Sequence, residues 1–184
     1  MNGEQSFSAQ RRRCLTVGVA LAAVAAGATV AWQQTKDMSG NDEAVRAFWD
    51  LQLLQADGTQ MTLSSLRGKP LLVNFWATWC PPCVRELPMI NAFSKAQAMR
   101  GQHSIQVLGI AVDQAASVNK WLARQPLDFP VVLAGSGGVG LTRSLGNING
   151  GLPFTILFDA QGKVQQRKIG EISEKDLAQW ASVA

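Results

Sequence analysis

Asn74-Phe75-Trp76-Ala77-Thr78-Trp79-Cys80-Pro81-Pro82-Cys83-Val84-Arg85-Glu86 is the stretch from which the fold can be read. The run Leu71 to Ala77 is apolar on both faces except at Asn74, the mark of a central strand covered by helices on each side. Pro81 and Pro82 suit a helix start, where a missing N–H costs nothing, and the pattern predicts that the helix continues over Val84 to Arg100. Pro88 has no hydrogen for the Val84 carbonyl and should bend that helix. Two cysteines two residues apart therefore stand where a strand gives way to a helix. The first sulfur sits over a helix N-terminus, which carries roughly half a positive charge, and cysteines so placed have pKa values lowered to about 3.5 to 7.5. Such a pair can cycle between dithiol and disulfide.

Two plainer readings of the pair have little support. A structural disulfide at this spacing closes a very small loop and gains little from restricting the unfolded chain. A structural zinc site needs four ligands, and the chain offers only Cys14, Cys80, Cys83 and His103, with Cys14 at the edge of an apolar segment. No metal is expected.

The chain has 184 residues, 47% of them apolar, enough for one domain with its own core and an appendage. The appendage is residues 1 to 32. Arg11-Arg12-Arg13 precedes an uncharged run, Cys14 to Trp32, which as a helix would span close to the ~30 Å of a bilayer core. The segment reads as a signal-anchor or as a signal peptide cleaved near Ala26-Gly27-Ala28 or Thr29-Val30-Ala31. The arginines fit a twin-arginine signal as well as the positive-inside pattern. Either way residues 33 to 184 lie outside the cytoplasm, periplasmic or otherwise extracytoplasmic. Without residues 1 to 32, which hold three Arg and one Glu, the net charge falls from +4 to +2. The basic balance belongs to the export segment, and no basic block points to nucleic acid.

Residues 33 to 47 are polar and read as a linker. Phe48 to Gln55 and Gln60 to Leu63 read as strands around the turn Ala56-Asp57-Gly58-Thr59. Beyond the first helix the pattern predicts strands at Ile105 to Val112 and Pro130 to Leu133, with a helix, Ala115 to Gln125, between them. A short helix over Gly140 to Leu145 and strands over Phe154 to Phe158 and Val164 to Ile169 come next. The last helix spans Ser173 to Trp180, with Ser173 and Asp176 as a capping pair. Strands alternating with helices, then a hairpin and a helix, give an α/β sandwich around one mixed sheet.

The Asn74 to Cys83 stretch, followed 70 residues later by Leu152-Pro153-Phe154-Thr155 and by Asp159-Ala160-Gln161-Gly162-Lys163, resembles the thioredoxin superfamily. Within it the chain is most similar to the TlpA/ResA-like membrane-anchored thiol-disulfide oxidoreductases, over residues 48 to 184. The resemblance implies a thioredoxin-like fold, a central mixed β-sheet flanked by helices with an N-terminal β-hairpin. It also implies a helix-strand insert between the second and third core strands, assigned to about Ser117 to Leu133. No cofactor is expected beyond the cysteines. The expected partners are thiols and disulfides of exported proteins, a membrane electron donor of the DsbD/CcdA type, and the inner membrane through the N-terminal segment. In resembling proteins the clients include cytochrome c maturation factors.

Cys80 is the better nucleophile because it lies at the helix start, whereas Cys83 is one turn in; Cys83 would resolve the mixed disulfide through the Cys80–Cys83 bond. Pro81 and Pro82 withhold two backbone donors from the Cys80 thiolate, which argues for a milder reagent on the reducing side. Glu86, three residues after Cys83, is either an acid answering the helix dipole or a proton-handling group, the role that the resemblance implies. Thioredoxins usually hold a buried acid where Asn74 stands, so such work would fall to Glu86. The resemblance further implies a cis Leu152–Pro153 bond facing the cysteines, with the Leu152 backbone free to pair with an extended client. Trp76 reads as core, and Trp79, Pro81 and Pro82 as lining the site. His103 reads as a solvated loop residue.

Gly135-Ser136-Gly137-Gly138-Val139-Gly140 fits the dinucleotide-binding spacing, but a flexible turn before a short helix accounts for it. The reductive function has two rivals. One is an oxidase that inserts disulfides, told apart by reduction potential. The other is a non-catalytic chaperone, which would keep its function without the cysteines. The peroxiredoxin arrangement Pro-x-x-x-Thr-x-x-Cys is absent, which disfavours a thiol peroxidase and leaves antioxidant activity through the cysteine pair open.

Overall fold

The computed structural model describes residues 42–101 and 104–183. The export segment, Cys14, most of the expected linker and His103 lie outside the described residues. Apart from Asp42, the described residues belong to the compact unit Glu43–Ala184.

Seven strands form one mixed sheet in the order β2-β1-β5-β4-β3-β6-β7. Strand β3 (Leu71–Trp76) is central and buried along its whole length. It runs parallel to β4 (Gln106–Ala111) and antiparallel to β6 (Phe154–Phe158). On one side β5 (Val131–Leu133) adds parallel to β4, and the hairpin of β1 (Gln52–Gln55) and β2 (Gln60–Thr62) extends the sheet antiparallel. On the other side β7 (Val164–Ile169) closes the sheet. Helix α1 (residues 42–49) precedes the hairpin, α2 (Pro81–Ala98) follows β3, and α3 (Ala115–Leu122) leads to β5. Helix α4 (Gly138–Ser144) precedes β6, and α5 (Glu174–Val183) ends the described chain. The insert between the core strands β4 and β6 is thus α3 with β5, close to its expected range.

Because successive strand residues point to opposite faces, β3 divides its side chains between two cores. Leu72 and Trp76 join Cys80, Cys83, Leu87, Ile90, Trp121, Leu177 and Trp180 on one face. Leu71, Val73 and Phe75 join Val45, Phe48, Trp49, Phe154 and Phe158 on the other. By the same alternation Asn74 points to the cysteine face. Its register partner on β6 is Thr155, which points the same way.

The beginning of the domain departs from expectation. Phe48 and Trp49 are not on a strand, and residues 42–47 are not linker: all belong to α1, and the first strand starts only at Gln52. The reason is packing. Val45, Phe48 and Trp49, spaced i, i+3 and i+4, form one apolar face, and all three are buried. Phe48 stacks on Phe158 with ring centres 5.0 Å apart, and Trp49 Nε1 donates to the Gly162 carbonyl at 2.8 Å. Strands β6 and β7 have the predicted limits, and helix α2 continues through Pro88 without interruption. The Ser173–Asp176 capping pair is present: the Ser173 backbone donates to Asp176 Oδ2 at 2.9 Å, and the Asp176 backbone donates to Ser173 Oγ at 3.2 Å.

Candidate active site

Strand β3 ends at Trp76, and four residues later Cys80 caps α2 in an extended conformation, with Pro81 and Pro82 as the first two helical residues. A helix start leaves its first N–H groups without partners. Here the prolines have none to offer, so the Cys83 N–H is the first free donor. Cys80 Sγ accepts from it at 3.4 Å. Cys80 and Cys83 are joined in a disulfide with Cα atoms 5.3 Å apart. Cys80 keeps 4% of its surface exposed and Cys83 none. The turn before Cys80 is tied down by Asp113, at the end of β4, whose Oδ2 accepts from the Thr78 backbone at 2.9 Å. Asp113 is a positioning residue that no local pattern singles out, since 35 residues separate it from Thr78.

Trp79, beside Cys80, is 63% exposed and walls an open groove of about 740 Å³ together with Val112, Asp113, Leu133 and Val139. Pro81 is exposed and Pro82 half-buried. Trp76 is fully buried in the core. The Leu152–Pro153 bond is cis. Phe154 pairs with Phe75 in the sheet, so Pro153 lies at the same sheet end as the loop carrying the cysteines. Leu152 is half-buried and packs against the apolar cluster containing them.

Glu86 lies one helical turn beyond Cys83 on the same face of α2. It is not a surface acid answering the helix dipole, because only 2% of it is exposed. Its Oε1 accepts from Asn74 Nδ2 at 2.7 Å and its Oε2 from the Ile172 backbone at 2.8 Å. Asn74 Nδ2 also donates to Thr155 Oγ1 at 3.0 Å. Burial, which penalises the charged form, pushes the Glu86 pKa from 4.5 up to about 7; the hydrogen bonds from Ile172 and Asn74 oppose it, and nearby Glu171 adds to it. A carboxyl titrating near neutrality under a disulfide can accept and return a proton at working pH. Thr155 and Ile172, 81 and 86 residues away from their partners, could be assigned to the site only once the fold brought them there.

A disulfide at the N-cap of a helix, a cis-proline at the adjoining sheet end and a buried carboxyl beneath define a thiol-disulfide oxidoreductase. The redoxin family matches residues 30–182. The chain is 35% identical over 129 residues to the thiol-disulfide oxidoreductase ResA of Geobacillus kaustophilus, covering 70% of each chain. It is 32% identical over 130 residues to the thiol:disulfide interchange protein DsbE of Vibrio cholerae, covering 68% of this chain and 64% of that one. Among solved structures, the thioredoxin-related protein of Neisseria meningitidis serogroup B matches with a TM-score of 0.62 and 32% identity, over 71% of this chain and 96% of that one. The chain belongs to the redoxin family, as a ResA-like member of the thioredoxin superfamily.

Proposed function

We propose that this oxidoreductase works as a reductase of disulfides in exported proteins, with Cys80 as the attacking sulfur and Cys83 as the resolving one. The observation that carries the reading is the cap itself: Cys80 is the more exposed sulfur and holds the first free N–H of α2, while the two prolines withhold the others. A thiolate supported by one donor instead of three is less stabilised, and the couple is correspondingly more reducing.

In the reaction, the Cys80 thiolate attacks one sulfur of a client disulfide. A Cys80–client bond forms, and the other client sulfur leaves as thiolate. Cys83 then gives its proton to Glu86 and attacks Cys80 Sγ. The mixed disulfide breaks, the Cys80–Cys83 disulfide forms, and the second client sulfur leaves as thiolate, so that two electrons have passed to the client. The backbone at Leu152 and Pro153, with Trp79, Pro81 and Pro82, would hold the client beside Cys80. A membrane donor of the DsbD/CcdA type would return the enzyme to its dithiol form.

The site of action in this reading is outside the cytoplasm, with residues 14–32 as membrane anchor or cleaved signal. No helix of the described residues is long and apolar enough to cross a membrane. The clients would include proteins of cytochrome c maturation, a class supported by the ResA-like resemblance. Redox titration of the Cys80–Cys83 couple against glutathione, joined to client trapping by Cys83→Ser, tests the proposal. A midpoint more negative than about −200 mV with mixed disulfides through Cys80 supports it. A midpoint near about −120 mV would make the protein a disulfide-forming oxidase.

A further inference from the structure

Asn74 and Glu86 meet in a buried polar group that is one partner short. Asn74 is fully buried between β4 and β6, and its Nδ2 donates both hydrogens, to Glu86 Oε1 and to Thr155 Oγ1. Its Oδ1 is buried and has no hydrogen-bond partner. Both Glu86 oxygens therefore face donors, which is the arrangement an ionised carboxylate requires. When Glu86 carries a proton the arrangement fails. Oε2 remains facing the Ile172 N–H, so the proton sits on Oε1, opposite an amide nitrogen that cannot accept it.

An amide oxygen and nitrogen occupy nearly the same volume, and a half-turn of the Asn74 side chain exchanges them. Oδ1 then accepts from the Glu86 O–H and from the Thr155 hydroxyl, which can donate as readily as accept. Nδ2 takes the unpartnered place that Oδ1 held. Each orientation thus leaves one buried polar atom unpaired, so neither is locked. We propose that the Asn74 amide turns over with the protonation of Glu86, presenting Nδ2 to the carboxylate and Oδ1 to the acid, so that Asn74 is a positioning residue for the resolving step. This rests on the reading of Glu86 as acceptor of the Cys83 proton. The charged neighbours are Glu171, in the loop after β7, with Arg85 of α2, which pairs with it at 3.0 Å, and, beyond Thr155, its register partner Lys168 of β7, which pairs with Asp176 of α5 at 3.1 Å. Strands β3 and β6 present only the neutral Asn74 and Thr155 to Glu86.

The test uses the full-length protein in its disulfide form, labelled with nitrogen-15 and carbon-13, so that the cysteines do not titrate. Contacts between the Asn74 amide protons and Thr155 should be present at pH 9 and lost at pH 5, with the midpoint of the Glu86 carboxyl-carbon titration. Glu86→Gln, whose amide oxygen must face the Ile172 N–H, presents a permanent donor to Asn74 and should show the low-pH pattern throughout. Contacts unchanged between pH 5 and 9 while Glu86 titrates would overturn the proposal. Asn74→Leu should slow resolution about tenfold while leaving the first attack by Cys80 unchanged, whereas equal slowing of both steps would reduce Asn74 to packing. An E86Q protein with the wild-type pH profile of single-turnover reduction would instead remove the proton-acceptor reading, and with it the catalytic meaning of the turnover, whatever the amide does.

Discussion

Glu86 shows what a single buried side chain does to the balance between stability and chemistry. In the folded disulfide form it holds its proton up to about pH 7, against 4.5 when unfolded. Between those values the folded state binds more protons than the unfolded one, so the Glu86 contribution to stability is fully present below about 4.5 and is lost as pH rises through 7. The shift corresponds to a penalty on the order of 3 kcal/mol at high pH. Glu86→Gln keeps the shape and removes the charge. Its denaturation free energy should therefore match wild type near pH 4 and exceed it by roughly 2 to 3 kcal/mol at pH 8.5. Equal stabilities at both pH values would show that burial does not hold the carboxyl neutral. The amide at Asn74 belongs to the same logic, because a second acid at that position would place another charge in the layer that already disfavours one.

At the level of elements, the segment from β5 to α4 shows which glycines the fold needs. Gly135 adopts a positive φ of 53°, the region open mainly to glycine. Gly138 has ordinary helical angles, but a Cβ there would lie 2.7 Å and 2.9 Å from the methyl groups of Val112, and a β-branched side chain at the end of a buried strand has little freedom to move. Gly140 has open space around it. Gly138→Ala should therefore destabilise the protein by about 1 to 3 kcal/mol, while Gly140→Ala should stabilise it by up to about 1 kcal/mol through helix propensity; thermal unfolding of the two variants checks the contrast. The dinucleotide-like spacing counts Gly135, Gly137 and Gly140 and passes over Gly138, the one set by packing. The same limit governs the legibility of the other elements. Leu71 to Trp76, the capped cysteine pair, Phe154 to Phe158 and Val164 to Ile169 are legible because their signals are local: apolar runs interrupted only at Asn74 and Thr155 in the two buried strands, prolines at a helix start, and the Gln161-Gly162 turn that sets off the last strand. Helix α1 is hidden because Phe48 and Trp49 continue into the apolar residues of β1 and read with them as one strand. Its own signal is nonetheless present, in the i, i+3, i+4 spacing of Val45, Phe48 and Trp49. Partners such as Thr155 for Asn74, Ile172 for Glu86 and Asp113 for Thr78 come from strand register and loop closure, which no local pattern carries.

For the whole molecule, the two faces of the sheet divide the labour. The cysteines and Glu86 lie on the face covered by α2 and α5, whereas α1 packs on the opposite face. There Trp49 meets Phe158 edge to face at 5.1 Å, lies under the Arg67 guanidinium at 5.0 Å, and bonds the turn between β6 and β7 through Gly162. A chain shortened to begin at Phe48 would keep those two aromatic residues but lose Val45 and the helical turns that hold them in place. Burial of Val45 alone is worth about 1.5 to 3 kcal/mol, and release of Phe48 or Trp49 would add about 3 kcal/mol or more each. Compared with a chain beginning at Gly40, the shorter one should lose at least about 2 kcal/mol in urea unfolding, with Trp49 fluorescence moving toward that of a solvated indole. Because the lost contacts lie across the sheet from the active site, alkylation of reduced Cys80 under native conditions should proceed at nearly the same rate in both. Equal midpoints would mean that α1 is an appendage after all. A loss of stability joined to a large change in Cys80 reactivity would mean that the sheet transmits strain from one face to the other instead of separating scaffold from chemistry.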